Sequence, residues 1–226
     1  MSLLDKRPKA FAKVEVERAR SLPLGEKLEV FYESKYPEST WWFHKIIGIG
    51  QEKNLSGSDQ MKFVKHLCEN DLYYFAKWVL GRSKLREQPN REMAERVMSR
   101  HWPDRQERKL ILEPRETYKT TIASIAFPVW ILAKNPEISI LIYSETDSQA
   151  KQIYNACKKA MEMNELLQRL WGSFKSRHWN ETELFVQGRK EFERRDPSLT
   201  HAGLDSSVNG VHPDVALIDD LCSEQN

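Results

Sequence analysis

Lys119 and Thr120 stand side by side after a polar loop, and Asp219 and Asp220 close an apolar run about 100 residues later. These four residues suit chemistry on a phosphate. A lysine at the end of a loop neutralises terminal phosphates. The adjacent hydroxyl, Thr120, ligands magnesium, and the N–H groups of a following helix add partial positive charge. Asp219 would hold the hydration shell of the metal from a strand end, and Asp220 would orient or deprotonate an attacking water. Each pair also has a plainer explanation. A capped α/β loop can carry a solvent-facing lysine, and a strand can end in an ordinary polar turn.

The loop Glu113-Pro114-Arg115-Glu116-Thr117-Tyr118 departs from the glycine-rich phosphate pattern GxxxxGK[ST]. Glu113 stands where the first glycine belongs and Tyr118 where the second does, and no glycine occurs between Gly81 and Gly172. Those glycines matter because a tightly wound loop needs positive φ. Glu113 and Glu116 bring negative charge to an anion site, which Arg115 partly offsets. The acidic pair after a strand counts in the other direction, because ligands of parallel sheets bind at the carboxyl ends of strands.

Helices and strands must position these residues. From Ser58 to Leu80 apolar residues recur at helical spacing, with Ser58 or Asp59 as cap and Gly81 as stop. A second helix is expected over Asn90 to Trp102, ended by Pro103. Lys109-Leu110-Ile111-Leu112 reads as a buried strand. Lys119-Thr120-Thr121 opens a helix to about Ala133, with Pro128 as a bend point. Ile138 to Tyr143 is a strand, Asp147 to Met163 a helix, and Asn164 to Trp171 a shorter helix. Glu181 to Val186 reads as an edge or hairpin strand and Val215 to Ile218 as a buried one. Strand and helix alternating at this spacing imply an α/β fold, with a mostly parallel sheet flanked by helices. The expected organisation is an N-terminal arm and linker over 1–57, a helical lead-in over 58–104 and the α/β domain over 105–226. In the arm, Trp41-Trp42-Phe43 reads mainly as a packing anchor.

Composition limits the alternatives. Lys plus Arg number 35 against 33 Asp plus Glu, a net charge of +2, so the whole surface is no polycation. The hydrophobic fraction of 40% supports a globular core. No run of about 20 apolar residues suggests a membrane span, and the N-terminus lacks a secretory pattern. Cys68, Cys157 and Cys222 form no paired framework and read as reduced intracellular thiols.

The stretch Pro114-Arg115-Glu116-Thr117-Tyr118-Lys119-Thr120-Thr121 resembles the variant phosphate loop of tailed-bacteriophage terminase large subunits. Asp71 to Gly81 resembles that family's helical lead-in, Tyr143 to Ala150 the segment after its second strand, and Val208 to Asp214 its approach to the acidic motif. The likeness spans roughly residues 60–226. It implies a P-loop NTPase domain using ATP and Mg2+. Pro114, Arg115, Glu116, Thr117, Tyr118, Lys119, Thr120 and Thr121 would form the nucleotide cradle, and Thr120 and Asp219 would hold the metal. Asp220 stands where the family more often has a glutamate base, with Glu224 as the other candidate, and Arg115 would contact phosphate. Arg189, Arg194 and Arg195 are candidates for an arginine reaching the γ-phosphate. Ser144 and Glu145 would line the crevice or, with Asp147, cap a helix.

The resemblance further implies a motor packaging double-stranded DNA into procapsids in the host cytoplasm. Its partners would be the small terminase subunit, the portal protein and further copies of itself in a ring. The family's ATPase domain continues past the acidic strand and is followed by a nuclease domain, so the expectation is an incomplete ATPase domain without nuclease activity. Two other functions stay open. One is a helicase-like, nucleic-acid-stimulated ATPase. The other is a non-catalytic interaction module in which Lys119 and Asp219 are surface and turn residues.

Overall fold

The computed structural model describes residues 57–98, 110–190, 194–204, 206 and 210–221. The chain divides into two compact units, Met1–Leu67 and Cys68–Asn226. Of the first, the described residues are the opening of helix α1, Gly57–Asn70. The aromatic run at Trp41, the second half of the expected helix to Trp102, Lys109, Cys222 and Glu224 lie outside the described residues.

The helix expected from Ser58 to Leu80 is broken at Asp71, whose backbone is extended (φ −141°, ψ 107°). Its carboxylate caps the next helix, α2, accepting from the N–H groups of Tyr73 at 2.9 Å and Tyr74 at 3.2 Å. This is ordinary N-capping, and it restarts the chain in a new direction. Helix α2, Leu72–Tyr74, continues as a wide π-type turn, Phe75–Val79, ahead of Gly81 at φ 67°. Helix α3 covers Glu92–Met98. The π-type turn Glu87–Arg91 leads into it, and since only Gln88 there is extended (φ −116°, ψ 135°), helical backbone begins close to the expected Asn90.

Leu110 to Leu112 form no strand. Leu110 is 83% and Leu112 80% exposed, so the expected burial of this run is absent. The physical reason lies in the sheet, where no described strand pairs with the run. Helix α4 then comprises π-type turns over Thr120–Ala126 and α-helical turns over Phe127–Lys134. The wide turns lie directly before Pro128, which has no N–H to give the Ser124 carbonyl. The Cys157 thiol donates to that carbonyl at 3.5 Å. Burial raises the Cys157 pKa, which keeps it a neutral donor.

Strand β1 is Ile140–Ser144 and is followed by α5, Asp147–Met163, and α6, Glu165–Trp171. The N-cap of α5 is Thr146, one residue before Asp147, with its hydroxyl accepting from Gln149 N at 3.3 Å. Strands β2 (Lys175–Trp179), β3 (Glu183–Val186), β4 (Leu199–Gly203) and β5 (Val215–Asp219) complete a five-stranded sheet in the order β2-β3-β4-β1-β5. Strands β4 and β5 run parallel to β1 on either side of it, whereas β2 and β3 add as an antiparallel hairpin. The sheet is therefore mixed rather than mostly parallel. Strand β3 lies inside it, with β2 as the edge.

In register, Ser144 stands between Gly203 and Asp219. Their side of the sheet carries both long helices. Tyr154 of α5 meets the His201 ring at 5.0 Å, and α4 packs against β5. Ile122, Leu132, Ile140, Ile142, Tyr154 and Met161 fill the core between. On the reverse side of β5, Ile218 is 62% exposed. Among the described residues no helix is long and apolar enough to cross a membrane.

Gly203 marks where β4 meets the start of α5. A Cβ there would stand 2.3 Å from Asp147 N, a backbone atom that cannot rotate away. Gly203→Ala is therefore expected to destabilise the fold by about 1–3 kcal/mol. Urea denaturation checks this, and an unchanged midpoint would contradict the close packing of α5 on β4.

Candidate functional site

The loop Glu113 to Tyr118 bends through two left-handed residues, Glu116 at φ 66° and Tyr118 at φ 64°. Tyr118 thus adopts the backbone that glycine supplies at low cost, at the position where the glycine pattern asks for one. Thr117 Oγ1 donates to Pro114 O at 2.8 Å and closes the bend from inside. The turn at Arg115–Glu116 aims the Thr117 N–H back at Pro114 O, whereas the N–H groups of Glu116 and Tyr118 meet no acceptor among the described residues. Pro114, Arg115 and Glu116 are exposed, and Thr117 is half-buried. Lys119 is already right-handed helical (φ −56°, ψ −51°), so the loop passes directly into α4. Thr120 and Thr121 form its half-buried first turn.

Parallel pairing with β1 carries β5 to the same end of the molecule. Asp219 closes β5 with only 8% of its surface exposed. The Thr120 and Ser124 hydroxyls lie on the side of α4 that faces β5 and favour the ionised form of its carboxylate. Burial raises the Asp219 pKa, and neighbouring Asp220 pushes the same way. The two hydroxyls and Lys119 oppose the shift. Asp220 follows with a left-handed backbone at φ 46°, which turns it out of the strand. Its Oδ1 receives a hydrogen bond from Lys119 Nζ at 2.9 Å. The side chains are 32% and 65% exposed, so the pair is solvated and contributes roughly 0–1 kcal/mol.

Two pairs distant in sequence thus lie together, Lys119 and Thr120 with Asp219 and Asp220. Ser124 joins them, although the sequence reading passed over it. The signal was available, because Ser124 lies one helical turn after Thr120 on the same face. Asn90 was also missed and left no such signal. It is 2% exposed and touches the loop from outside, donating to Thr117 O at 2.7 Å. Ser144 lines the end of β1, where its hydroxyl donates to Asp219 O at 2.8 Å. Asp147 instead faces His201, with 3.3 Å between Oδ1 and Nδ1, and Glu145 is half-buried beyond the strand.

The arginine candidates are not brought to this end. Arg194 pairs with Asp214 Oδ2 at 2.8 Å and donates to Glu137 O at 3.2 Å. Asp214 Oδ2 also accepts from Ser139 N, immediately before β1. Arg189 donates to Asp196 O at 2.6 Å and approaches Glu137 at 3.8 Å. Both therefore serve the N-terminal ends of the parallel strands, a full strand length of about 13 Å from Asp219. Arg195 is exposed beside Arg194. The expectation that Arg189 or Arg194 reaches a phosphate at Lys119 within the same chain is corrected. The acidic residues around the strand starts hold them first.

Among the described residues no group of three or more His, Cys, Asp or Glu side chains is placed to hold a metal ion alone. Asp219 and Thr120 offer one carboxylate and one hydroxyl. That is the small oxygen set magnesium takes when phosphates and water complete its shell. Comparison with protein-family models, with curated proteins and with solved structures finds no match to this chain.

The raised pKa of Asp219 sets a sign for stability. The native carboxyl holds its proton to higher pH than the unfolded one, so stability falls as pH rises from about 4 through the raised native value. Asp219→Asn removes the charge and keeps an acceptor for the hydroxyls. It is expected to gain stability relative to wild type as pH rises from about 3.5 to about 7. Urea titrations at both ends of that range measure this. A variant that loses ground toward neutral pH would show the buried charge to be net favourable.

Proposed function

We propose that the chain binds a magnesium nucleotide triphosphate at the end of the sheet where Lys119, Thr120, Asp219 and Asp220 meet. It would act there as the P-loop ATPase part of a DNA-packaging motor. The observation that carries the reading is the junction itself. A lysine ends a left-handed loop and reaches Asp220 at 2.9 Å, beside the buried Asp219 at the end of β5.

The uncommitted N–H groups of Glu116 and Tyr118 support it, since N–H groups in left-handed turns form anion-binding concavities. Lys119 would turn from Asp220 to the terminal phosphates, a small loss because the solvated ion pair contributes little. Bound magnesium would neutralise charge on the phosphates, held through Asp219 and Thr120. Asp220, released by Lys119, would accept a hydrogen bond from the attacking water and orient it toward the phosphorus. Arg115, exposed on the loop, would contact a phosphate oxygen. Glu224 stays a second candidate for the base.

The motor assignment rests on the resemblance of the loop and acidic strand to terminase large subunits. Double-stranded DNA, a small terminase subunit, a portal protein and a ring of further copies in the host cytoplasm follow from it. The loop and acidic strand equally suit a helicase-like ATPase, and both readings share the chemistry above.

Calorimetric titration with ATP and magnesium tests the site. Wild type is expected to bind and Lys119→Ala to lose at least about tenfold in affinity, the scale of one charge-assisted contact. Asp220→Asn is expected to bind at least as well as wild type, because it releases Lys119, while hydrolysing more slowly. Equal binding by Lys119→Ala would remove the site from this loop.

A further inference from the structure

Asn90 belongs to the helical lead-in, yet its side chain is committed to the loop. Its Oδ1 accepts from Arg86 N at 2.7 Å and its Nδ2 donates to Thr117 O at 2.7 Å. The amide has one orientation here, since a flip would set oxygen against oxygen and NH2 against N–H. The residue is 2% exposed, so losing either bond would strand a buried polar group. The Arg86 end is itself anchored. Leu85 O, beside it, accepts from Lys77 Nζ at 3.0 Å, and Lys77 also donates to Tyr73 OH at 3.0 Å.

The Thr117–Tyr118 peptide is trans, because Gln88–Pro89 is the one cis bond among the described residues. In a trans peptide the carbonyl and the following N–H point in opposite directions. Fixing Thr117 O on Asn90 therefore fixes the Tyr118 N–H away from the lead-in. Tyr118 holds φ 64°, a conformation a tyrosine does not keep without outside support.

We propose that Asn90 is a positioning residue for anion binding: by holding Thr117 O it presets the Tyr118 N–H as a donor to a ligand phosphate. This rests on the nucleotide reading above and adds to it the outside contact that lets a glycine-free loop hold a phosphate. In a glycine-rich loop the backbone adopts the curve unaided. Here a side chain from another element imposes it. The ligand class is the polyphosphate part of the nucleotide, and the base takes no part.

The test uses inorganic tripolyphosphate with magnesium beside ATP, on the full chain. In wild type, tripolyphosphate is expected to shift the Tyr118 amide resonance downfield. Asn90→Ala should weaken both ligands by about tenfold or more and abolish that shift. Asn90→Asp keeps the size and the acceptor for Arg86 N, but sets an oxygen against Thr117 O. It should weaken binding similarly, and if Asn90→Ala fails to fold it takes that variant's place. Should both variants fail to fold, the wild-type Tyr118 resonance decides. Variants with lower melting temperatures but wild-type affinity would make Asn90 structural only and overturn the proposal, as would an unmoved Tyr118 amide in ligand-bound wild type. Wild type that binds neither ATP nor tripolyphosphate would overturn the nucleotide reading itself, and this proposal with it.

Discussion

A carboxylate withdrawn from water at the end of β5 sets the terms for its surroundings. Asp219 sits 8% exposed, and burying a charge is costly unless hydrogen bonds compensate it. Thr120 and Ser124, one turn apart on α4, offset part of that cost, though burial outweighs them. They require α4 to run past the strand end with that face inward. The helix must then start where the loop delivers Lys119, and β5 must lie in parallel register with β1 so that Asp219 arrives level with Ser144. Ser144 completes the arrangement by holding the Asp219 carbonyl. Loop, helix and two strands thus meet at a single side chain.

Much of this was legible because apolar runs mark buried strands wherever side chains do the burying. Ile140 to Tyr143 and Val215 to Ile218 are such runs, and the acidic pair after the second was placed correctly at a strand end. Strand β4 was illegible for a complementary reason. Leu199-Thr200-His201-Ala202-Gly203 is central, yet after Leu199 its residues are polar or small, and at Gly203 α5 approaches so closely that no side chain fits. The π-type turns in α4 answer to Pro128 and to a thiol far along the chain, so no local pattern announced them. Leu110 to Leu112 looked like a strand by composition alone, but composition supplies no hydrogen-bonding neighbour.

The site was legible in part for the same reason. Lysine, threonine and paired acids announce themselves by type, and Ser124 by helical spacing. Asn90 does neither, since its role comes from two backbone groups that only the fold brings together. The arginines show the opposite failure. Arg189 and Arg194 have the right chemistry for a phosphate, but Asp214, Asp196 and Glu137 engage them at the other end of the strands. The sheet thereby has one end whose charges are settled among themselves and another where Lys119 and Asp220 hold each other in solvent, open to exchange.

The outer margin of β5 has a colloidal consequence. Val215-Ala216-Leu217-Ile218 contains no lysine and no proline, the residues that normally keep a sheet border from recruiting strangers. Its described hydrogen-bonded neighbour is β1 alone, and Ile218 stands in solvent beside it. Two molecules meeting there gain main-chain hydrogen bonds and apolar contact together. Main-chain groups and an apolar side chain thus stand together along this border among the described residues, the combination by which a sheet edge takes up a further strand.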